Sequence, residues 1–272
     1  MQPINPEKMT IKFALRFCGL ILMFFSTLLP ASNYNRIVSL DICTDWMLTR
    51  YADRSDIVAL SPLLYDYPEQ LGQLDWPTHD GTLEQILELA PDLVITGEYN
   101  AIILRKRLEE LGIRVEVLSL PRSLVSLRDY IQRFLNIIGN KDIKVPSLPG
   151  PGKVAVDAPR LLLLGANGIG TGTTTLEHEI LQQAGWRNYI TRSGYGNVDM
   201  ESLVSDPPDA ILWSAPASRA LANMFFEHPA LRQAMLNKPT LEIDYGKWQC
   251  AGPWTWQQVQ QLTGLRNKWH TN

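Results

Sequence analysis

Two segments of the sequence repeat one pattern at a constant offset of 117 residues. Residues 82–95 read Thr-Leu-Glu-Gln-Ile-Leu-Glu-Leu-Ala-Pro-Asp-Leu-Val-Ile, and residues 199–212 read Asp-Met-Glu-Ser-Leu-Val-Ser-Asp-Pro-Pro-Asp-Ala-Ile-Leu. Without a gap, Glu84 matches Glu201 and the Pro-Asp pair at 91 matches the pair at 208. Such a repeat predicts two lobes built on one plan, and lobes of that kind usually hold a ligand between them.

Strand and helix patterns alternate through both halves of the chain. Strands are predicted at 36–40, 56–60, 92–96, 114–118, 160–164, 188–191, 210–213 and 240–243. Helices are predicted at 45–51, 82–89, 102–111, 124–138, 175–184, 200–205, 217–226, 229–236 and 255–263. The strands are mostly apolar, as in a parallel sheet covered on both faces. We predict an α/β fold of two similar lobes, each a mainly parallel sheet flanked by helices.

The N-terminus has the charged, apolar and small-residue order of a secretory signal peptide. Lys8, Lys12 and Arg16 precede or enter the apolar run 17–29, and Ala31 ends it. The run is shorter than the roughly 20 residues of a membrane span, although an uncleaved anchor remains an alternative. We therefore predict export, with a signal peptide at 1–31.

The exported part divides into a lobe, a connector and a second lobe. We predict an N-terminal lobe at 32–123, a connector at 124–159 and a C-terminal lobe at 160–272. The connector begins as a helix, but its segment 145–152 holds three prolines and two glycines, which a regular helix does not tolerate. The connector is thus part helical and part irregular.

Charge and cysteine usage narrow the classes of function. The net charge of −3 comes without a basic stripe, which argues against nucleic-acid binding. Cys43 and Cys250 remain after the predicted signal peptide. In an oxidising compartment such a pair can form a disulfide, while two separate thiols are the alternative, because sequence does not show proximity.

Ligands of parallel α/β lobes bind outside the carboxyl ends of the strands. The loops predicted there are 41–45, 61–68, 97–100, 119–123, 165–174, 192–198, 214–219 and 244–254. In or next to them lie the residues predicted to contact a ligand, namely Trp46, Tyr65, Tyr67, Tyr99, Arg122, Asn167, Tyr195, Arg219, Tyr245, Trp248 and Trp254. Aromatic walls with a few cations suit a large planar or anionic metal chelate, although each aromatic taken alone is also explained by ordinary packing.

The sequence gives less support to an enzyme, or to a protein that binds a bare metal ion, than to a protein that binds a chelate. The glycine-rich segment 165–172 follows a predicted strand, but it lacks the lysine of a phosphate-binding loop and the third glycine of a dinucleotide motif. No serine stands in a recognisable nucleophile elbow. The histidines at 79, 178, 228 and 270 are scattered, so we predict no directly bound metal. Because the motifs above are incomplete, we also predict no cofactor and no catalysis.

From about Arg36 to Leu265 the chain resembles the periplasmic substrate-binding proteins of ABC importers for iron–siderophore, haem and cobalamin, the class with a helical backbone between two lobes. The resemblance rests on the order and spacing of several short pieces: 36–40, 81–86, 90–95, 111–113, 172–185, Glu201 with Pro208-Asp209, and 228–231. In that family a long, stiff helix joins the lobes. The Pro-rich connector departs from that feature.

The resemblance implies a periplasmic protein without catalytic activity that delivers a metal chelate to the permease subunits of an ABC importer. The first expectation is an iron(III)–siderophore or haem-like chelate, with cobalamin as the alternative. An enzyme or a non-transport interaction protein on the same fold is the alternative of another class. In this family an acidic residue on each lobe docks against permease arginines, and the matching positions are Glu84 and Glu201. Their alternative role is to stabilise the first turn of a helix. We expect a monomer.

Overall fold

The structure is a computed structural model that describes residues 34–66, 75–140, 142–145, 152–165, 168–213, 228–242 and 245–269. The predicted signal peptide and the predicted helix at 217–226 therefore lie outside the described residues. The described residues belong to one compact unit. None of the described helices is long and apolar enough to cross a membrane.

The first sheet is parallel and runs in the order β2-β1-β3-β4. Its strands are β1 (Ile37–Ser39), β2 (Ile57–Ala59), β3 (Leu93–Gly97) and β4 (Val115–Leu118), and its helices are α1 (Ile42–Tyr51), α2 (Leu83–Glu88) and α3 (Ile102–Glu110). Short 3-10 helices lie at Arg54–Asp56 and Pro62–Asp66. Helix α1 begins three residues earlier than predicted because Asp41 caps it, accepting bonds from the backbone N–H groups of Cys43 and Thr44.

The connector begins with helix α4 (Leu124–Ile137), close to its predicted bounds. Ser123 and Ser126 form a capping box at its start. No helix or strand continues it through the described residues 138–140, 142–145 and 152–159.

The second sheet is mixed. Its strands are β5 (Arg160–Leu164), β6 (Ile169–Thr171), β7 (Arg187–Asn188), β8 (Tyr195–Asn197), β9 (Ala210–Trp213) and β10 (Thr240–Glu242). Its helices are α5 (Leu176–Gln183), α6 (Met200–Ser205), α7 (Pro229–Ala234), α8 (Tyr245–Gln249) and α9 (Thr255–Trp269). Strands β5, β9 and β10 are parallel, as predicted, whereas β6 pairs antiparallel with both β5 and β8.

The sequence prediction missed β6 and β8 because glycines dilute their apolar pattern. A Cβ at Gly172 would overlap the carbonyl oxygen of Arg192, and a Cβ at Gly170 would overlap Ile190. The glycines therefore let two stretches of chain approach closely. The glycine-rich segment contributes β6, which pairs with a strand on each side, and its glycines serve this close packing.

The repeated Pro-Asp pair has one structural role in both lobes. The carboxylate of Asp92 accepts the backbone N–H of Arg36 (3.1 Å), and that of Asp209 accepts the backbone N–H of Arg160 (2.7 Å). Each arginine side chain returns a bond to a carbonyl just before the pair, at Ala90 or at Pro207. Each aspartate thus fixes the start of its own strand against the neighbouring parallel strand.

One hydrophobic core spans both lobes. Its buried residues include Ile37 and Leu93 of the first sheet, Phe134 of α4, and Leu161 and Leu163 of the second sheet. In the family that the sequence resembles, a long helix holds the two lobes. In the described part of this chain, α4 and this shared core join the sheets directly.

Candidate functional site

The predicted ligand contacts divide according to what the structure describes. Tyr67, Asn167 and Arg219 lie outside the described residues, and the side chains of Tyr65 and Tyr245 are likewise outside. The other predicted side chains have defined positions.

Trp46 and Trp254 belong to the core. Trp46 is 0% exposed and Trp254 is 7% exposed, and their rings meet edge to face with centroids 6.3 Å apart. Trp46 lies on α1, inside the helix that the sequence predicted at 45–51, and packs in the core that both lobes share. Neither ring offers a surface to a ligand here, so we leave both out of the candidate site.

Tyr99 and Arg122 form a pair on the first lobe. They follow β3 and β4, whose carboxyl ends share one sheet edge. The Arg122 guanidinium donates from Nη2 to the Tyr99 hydroxyl at 2.9 Å, and both side chains are exposed. The pair places a cation and a phenol at the edge where the sequence predicted ligand contacts.

Tyr195 and Glu177 form a second pair on the other lobe. Tyr195 lies on β8 and donates its hydroxyl to Glu177 Oε2 at 2.9 Å. Burial raises the pKa of Glu177 above its ordinary value. Burial and then the Glu177 carboxylate raise the pKa of Tyr195, while Arg122 acts on it in the opposite direction. Arg122 of the first lobe is therefore close enough to Tyr195 of the second lobe to act on its pKa.

Sequence reasoning missed Glu177. It lies in the first turn of α5, which Thr175 caps by accepting the N–H of His178. An acid in a first turn is common because the helix dipole favours it, so its sequence context gave no reason to select it. Only the position of β8 brings Tyr195 to its carboxylate.

A small cavity of about 20 Å³, room for about one water molecule, lies between the lobes beside these pairs. The first lobe contributes the β4–α4 loop, and the second contributes α5, α8 and the start of α9, with Trp248 among the lining side chains. The lining residues are Leu120, Pro121, Leu176, Glu177, Ile180, Tyr195, Lys247, Trp248, Gln249, Ala251, Thr255 and Gln258. At the same boundary the Leu124 N–H donates to Glu179 Oε2 at 2.7 Å. Trp248 and Tyr195 therefore occupy positions on the wall of one interlobe cavity.

A disulfide joins the lobes. Cys43 of α1 and Cys250, just after α8, are bonded, with Cα atoms 5.0 Å apart. Cys250 is buried, and its carbonyl accepts the indole N–H of Trp254 at 2.8 Å. The bridge thus ties the segment that carries Lys247 and Trp248 to the first lobe.

Glu84 and Glu201 occupy equivalent positions. Each is exposed and is the second residue of a six-residue helix, α2 or α6. Thr82 and Asp199 cap these helices by accepting the N–H groups of Gln85 (3.3 Å) and Ser202 (2.8 Å). The side chains do not serve as caps themselves.

Two nearly fully buried carboxylates lie below the carboxyl edge of the first sheet. Asp41 caps α1, and Asp45 accepts the backbone N–H of Ser61 at 3.0 Å and its hydroxyl at 2.5 Å. Burial is the main reason that the pKa of Asp41 is raised and that of Asp45 rises from 3.8 to about 7. Among the described residues no group of three or more His, Cys, Asp or Glu is placed to hold a metal ion.

We expect Asp45 to make folding stability depend on pH. Its pKa is higher in the folded state, so its contribution is complete below pH 3.8 and is lost as pH rises through about 7. At about 1.36 kcal/mol for each pKa unit, the loss is on the order of 4 kcal/mol. Urea unfolding of Asp45→Asn across this range should show a flatter pH dependence than the wild type. The exposed control Asp129→Asn should retain the wild-type slope, and an unchanged slope in Asp45→Asn would contradict the assignment.

The fold is that of periplasmic substrate-binding proteins. No protein-family model matches the sequence, and no curated protein matches it. A periplasmic haem-binding protein from Pseudomonas aeruginosa is similar in structure, with a TM-score of 0.65, 21% identity, and coverage of 85% of this chain and 92% of that one. The periplasmic vitamin B12 binding protein BtuF of Vibrio cholerae also has a TM-score of 0.65, with 20% identity and coverage of 88% and 99%. These similarities confirm the predicted two-lobed α/β fold class.

Proposed function

We propose that this protein is a periplasmic solute-binding protein that captures a metal chelate between its lobes and delivers it to the permease of an ABC importer. The observation that carries the proposal is the placement of two polar side-chain pairs, one on each lobe, close to each other. Tyr99 with Arg122 on the first lobe lies near Tyr195 with Glu177 on the second. Together they offer a guanidinium, two phenols and a carboxyl group beside the small interlobe cavity.

The chemistry of this set favours binding a chelate over binding a bare ion. Arg122 can interact with an anionic edge of the ligand, and the phenols provide flat surfaces and hydrogen bonds. The carboxylate of Glu177 already accepts a bond from Tyr195, and burial raises the pKa of this group. An iron(III)–siderophore or haem-like chelate is our first assignment, and cobalamin is the alternative.

Similarity of fold adds support for the class and for the compartment. The haem-binding and vitamin B12 binding proteins named above are periplasmic. A periplasmic location agrees with the predicted signal peptide at 1–31 and with the disulfide, which forms in oxidising compartments.

The direct test is thermal unfolding of the purified protein with haemin, cyanocobalamin and a panel of ferric siderophores. A ligand at 100 times its dissociation constant stabilises the folded state by about 2.7 kcal/mol, which raises the midpoint of unfolding. A shift with one chelate would identify the ligand class. Arg122→Ala should reduce that shift if the pair on the first lobe contacts the chelate, whereas the exposed control Arg128→Ala should not. A cooperatively folded sample that responds to none of these ligands would contradict the proposal.

A further inference from the structure

An apolar groove of about 490 Å³ opens at the carboxyl edge of the first sheet. Its walls come from the loop after β2 and from the first turn of α3, and include Leu63, Tyr99, Ile102 and Ile103. All four side chains are exposed, and Ile103 is 80% exposed. Single exposed apolar residues are common, but several of them around one groove indicate a binding surface.

The lining of the groove carries no charge at neutral pH. Its polar members on the inner side are Ser61 and His79. Ser61 donates its hydroxyl to Asp45, and His79 uses Nδ1 to accept the Gly81 N–H and Nε2 to donate to the Ser39 carbonyl. Burial also lowers the pKa of His79, which keeps the ring neutral. An occupant therefore meets apolar walls and polar groups that already have partners.

The backbone at the rim is strained. Ala101 precedes α3 and lines the groove with φ at 48°, a left-handed conformation in which its Cβ is unfavourable. Its side chain cannot cap the helix. The strained turn starts α3 so that Ile102 and Ile103 lie on the groove. Strain of this kind tends to occur at functional sites.

The groove adjoins the candidate ligand site through Tyr99, which lines the groove and accepts the bond from Arg122. Arg122 is close enough to Tyr195 of the other lobe to act on its pKa. We propose that the groove holds an uncharged, apolar part of the chelate, while Arg122 binds its polar part. The substrate class is then an amphiphilic chelate, in contrast to a compact, multiply charged one. This inference rests on the proposed function.

The test compares Ile103→Asp with Leu111→Asp. Leu111 is 56% exposed and lies just after the last turn of α3, the helix that carries Ile103. The chelate probes are haemin and cyanocobalamin, which have apolar faces, and ferric enterobactin, a compact trianion. The fourth probe is the fluorescent dye 1-anilinonaphthalene-8-sulfonate, an anion whose aromatic rings bind apolar surfaces. We expect the wild type to bind haemin or cyanocobalamin more tightly than ferric enterobactin. Ile103→Asp should weaken that binding by about tenfold or more and reduce dye binding, because a carboxylate is costly to bury. Leu111→Asp should stay within about twofold of the wild type.

Each contrary result has a separate meaning. Unchanged chelate affinity in Ile103→Asp would overturn the groove assignment and leave the proposed function intact. Preference for ferric enterobactin would overturn the amphiphilic class. Loss of uptake with retained affinity would assign the patch to the permease. Binding of the dye without binding of any chelate would reject the proposed function, and with it this occupant.

Discussion

Reversing both repeated acids, in Glu84→Arg/Glu201→Arg, is expected to abolish uptake and to leave chelate affinity unchanged. Each glutamate is exposed at the same position of an equivalent short helix, one in each lobe. A pair of carboxylates spaced in this way can recognise basic residues on two permease subunits, and like charges at an interface oppose docking. Uptake should be measured in cells that depend on this protein, beside the dissociation constant of the purified variant.

The matched control changes the net charge by the same amount elsewhere. Glu109→Arg/Asp129→Arg replaces two exposed acids on α3 and α4, away from the first turns of α2 and α6. It should retain uptake. The helix dipole makes arginine unfavourable in a first turn by about 0.3–1 kcal/mol for each site, so a small loss of stability is expected in the test variant. Retained uptake in Glu84→Arg/Glu201→Arg would refute the docking role, and so would a loss of chelate affinity in that variant.

Removing the Cys43–Cys250 disulfide, in Cys43→Ala/Cys250→Ala, is expected to lower the free energy of unfolding by about 4 kcal/mol. The two residues are separated by 207 positions, so the bridge closes a very long loop in the unfolded chain. Without it the unfolded state gains conformational entropy, and the entropic model gives about 5 kcal/mol as an upper value. Urea unfolding of the variant and of the oxidised wild type measures the difference.

Reduction supplies the control. Dithiothreitol should bring the wild type to the stability of the double variant and should not affect the variant itself. The variant should still fold, because Trp46, Trp254 and Phe134 remain in the core that both lobes share. Equal stability of the oxidised wild type and the variant would show that the bridge does not stabilise the fold.

The sequence predicted the elements whose signals are local. Helices α2 and α6 each have a cap residue two positions before the repeated glutamate, and both were located from the repeat. Strands β3 and β9 are short apolar runs directly after Pro-Asp pairs, and they were also located. Caps, turns and apolar runs act within a few residues, so one sequence is enough to recognise them.

Predictions that depended on distant partners were less complete. Trp46 and Trp254 are aromatic residues of the kind expected in the wall of a ligand site, yet each is buried against the other. Tyr99, Arg122 and Tyr195 were selected as loop residues, but their hydrogen-bond partners were not foreseen. Glu177 and the apolar groove beside Ala101 were not identified, because each depends on which segments the fold brings together.

Repeated local patterns encode repeated local structure, so the amino-acid sequence alone predicts two α/β lobes on one plan, with equivalent acids at Glu84 and Glu201. The bond between Cys43 and Cys250, the bond between Tyr195 and Glu177, and the core shared by the lobes are visible only in the folded chain. These contacts join positions far apart in the sequence. Their formation depends on how the sheets pack and on the loop-closure entropy overcome in folding, and no short pattern in the sequence records either quantity.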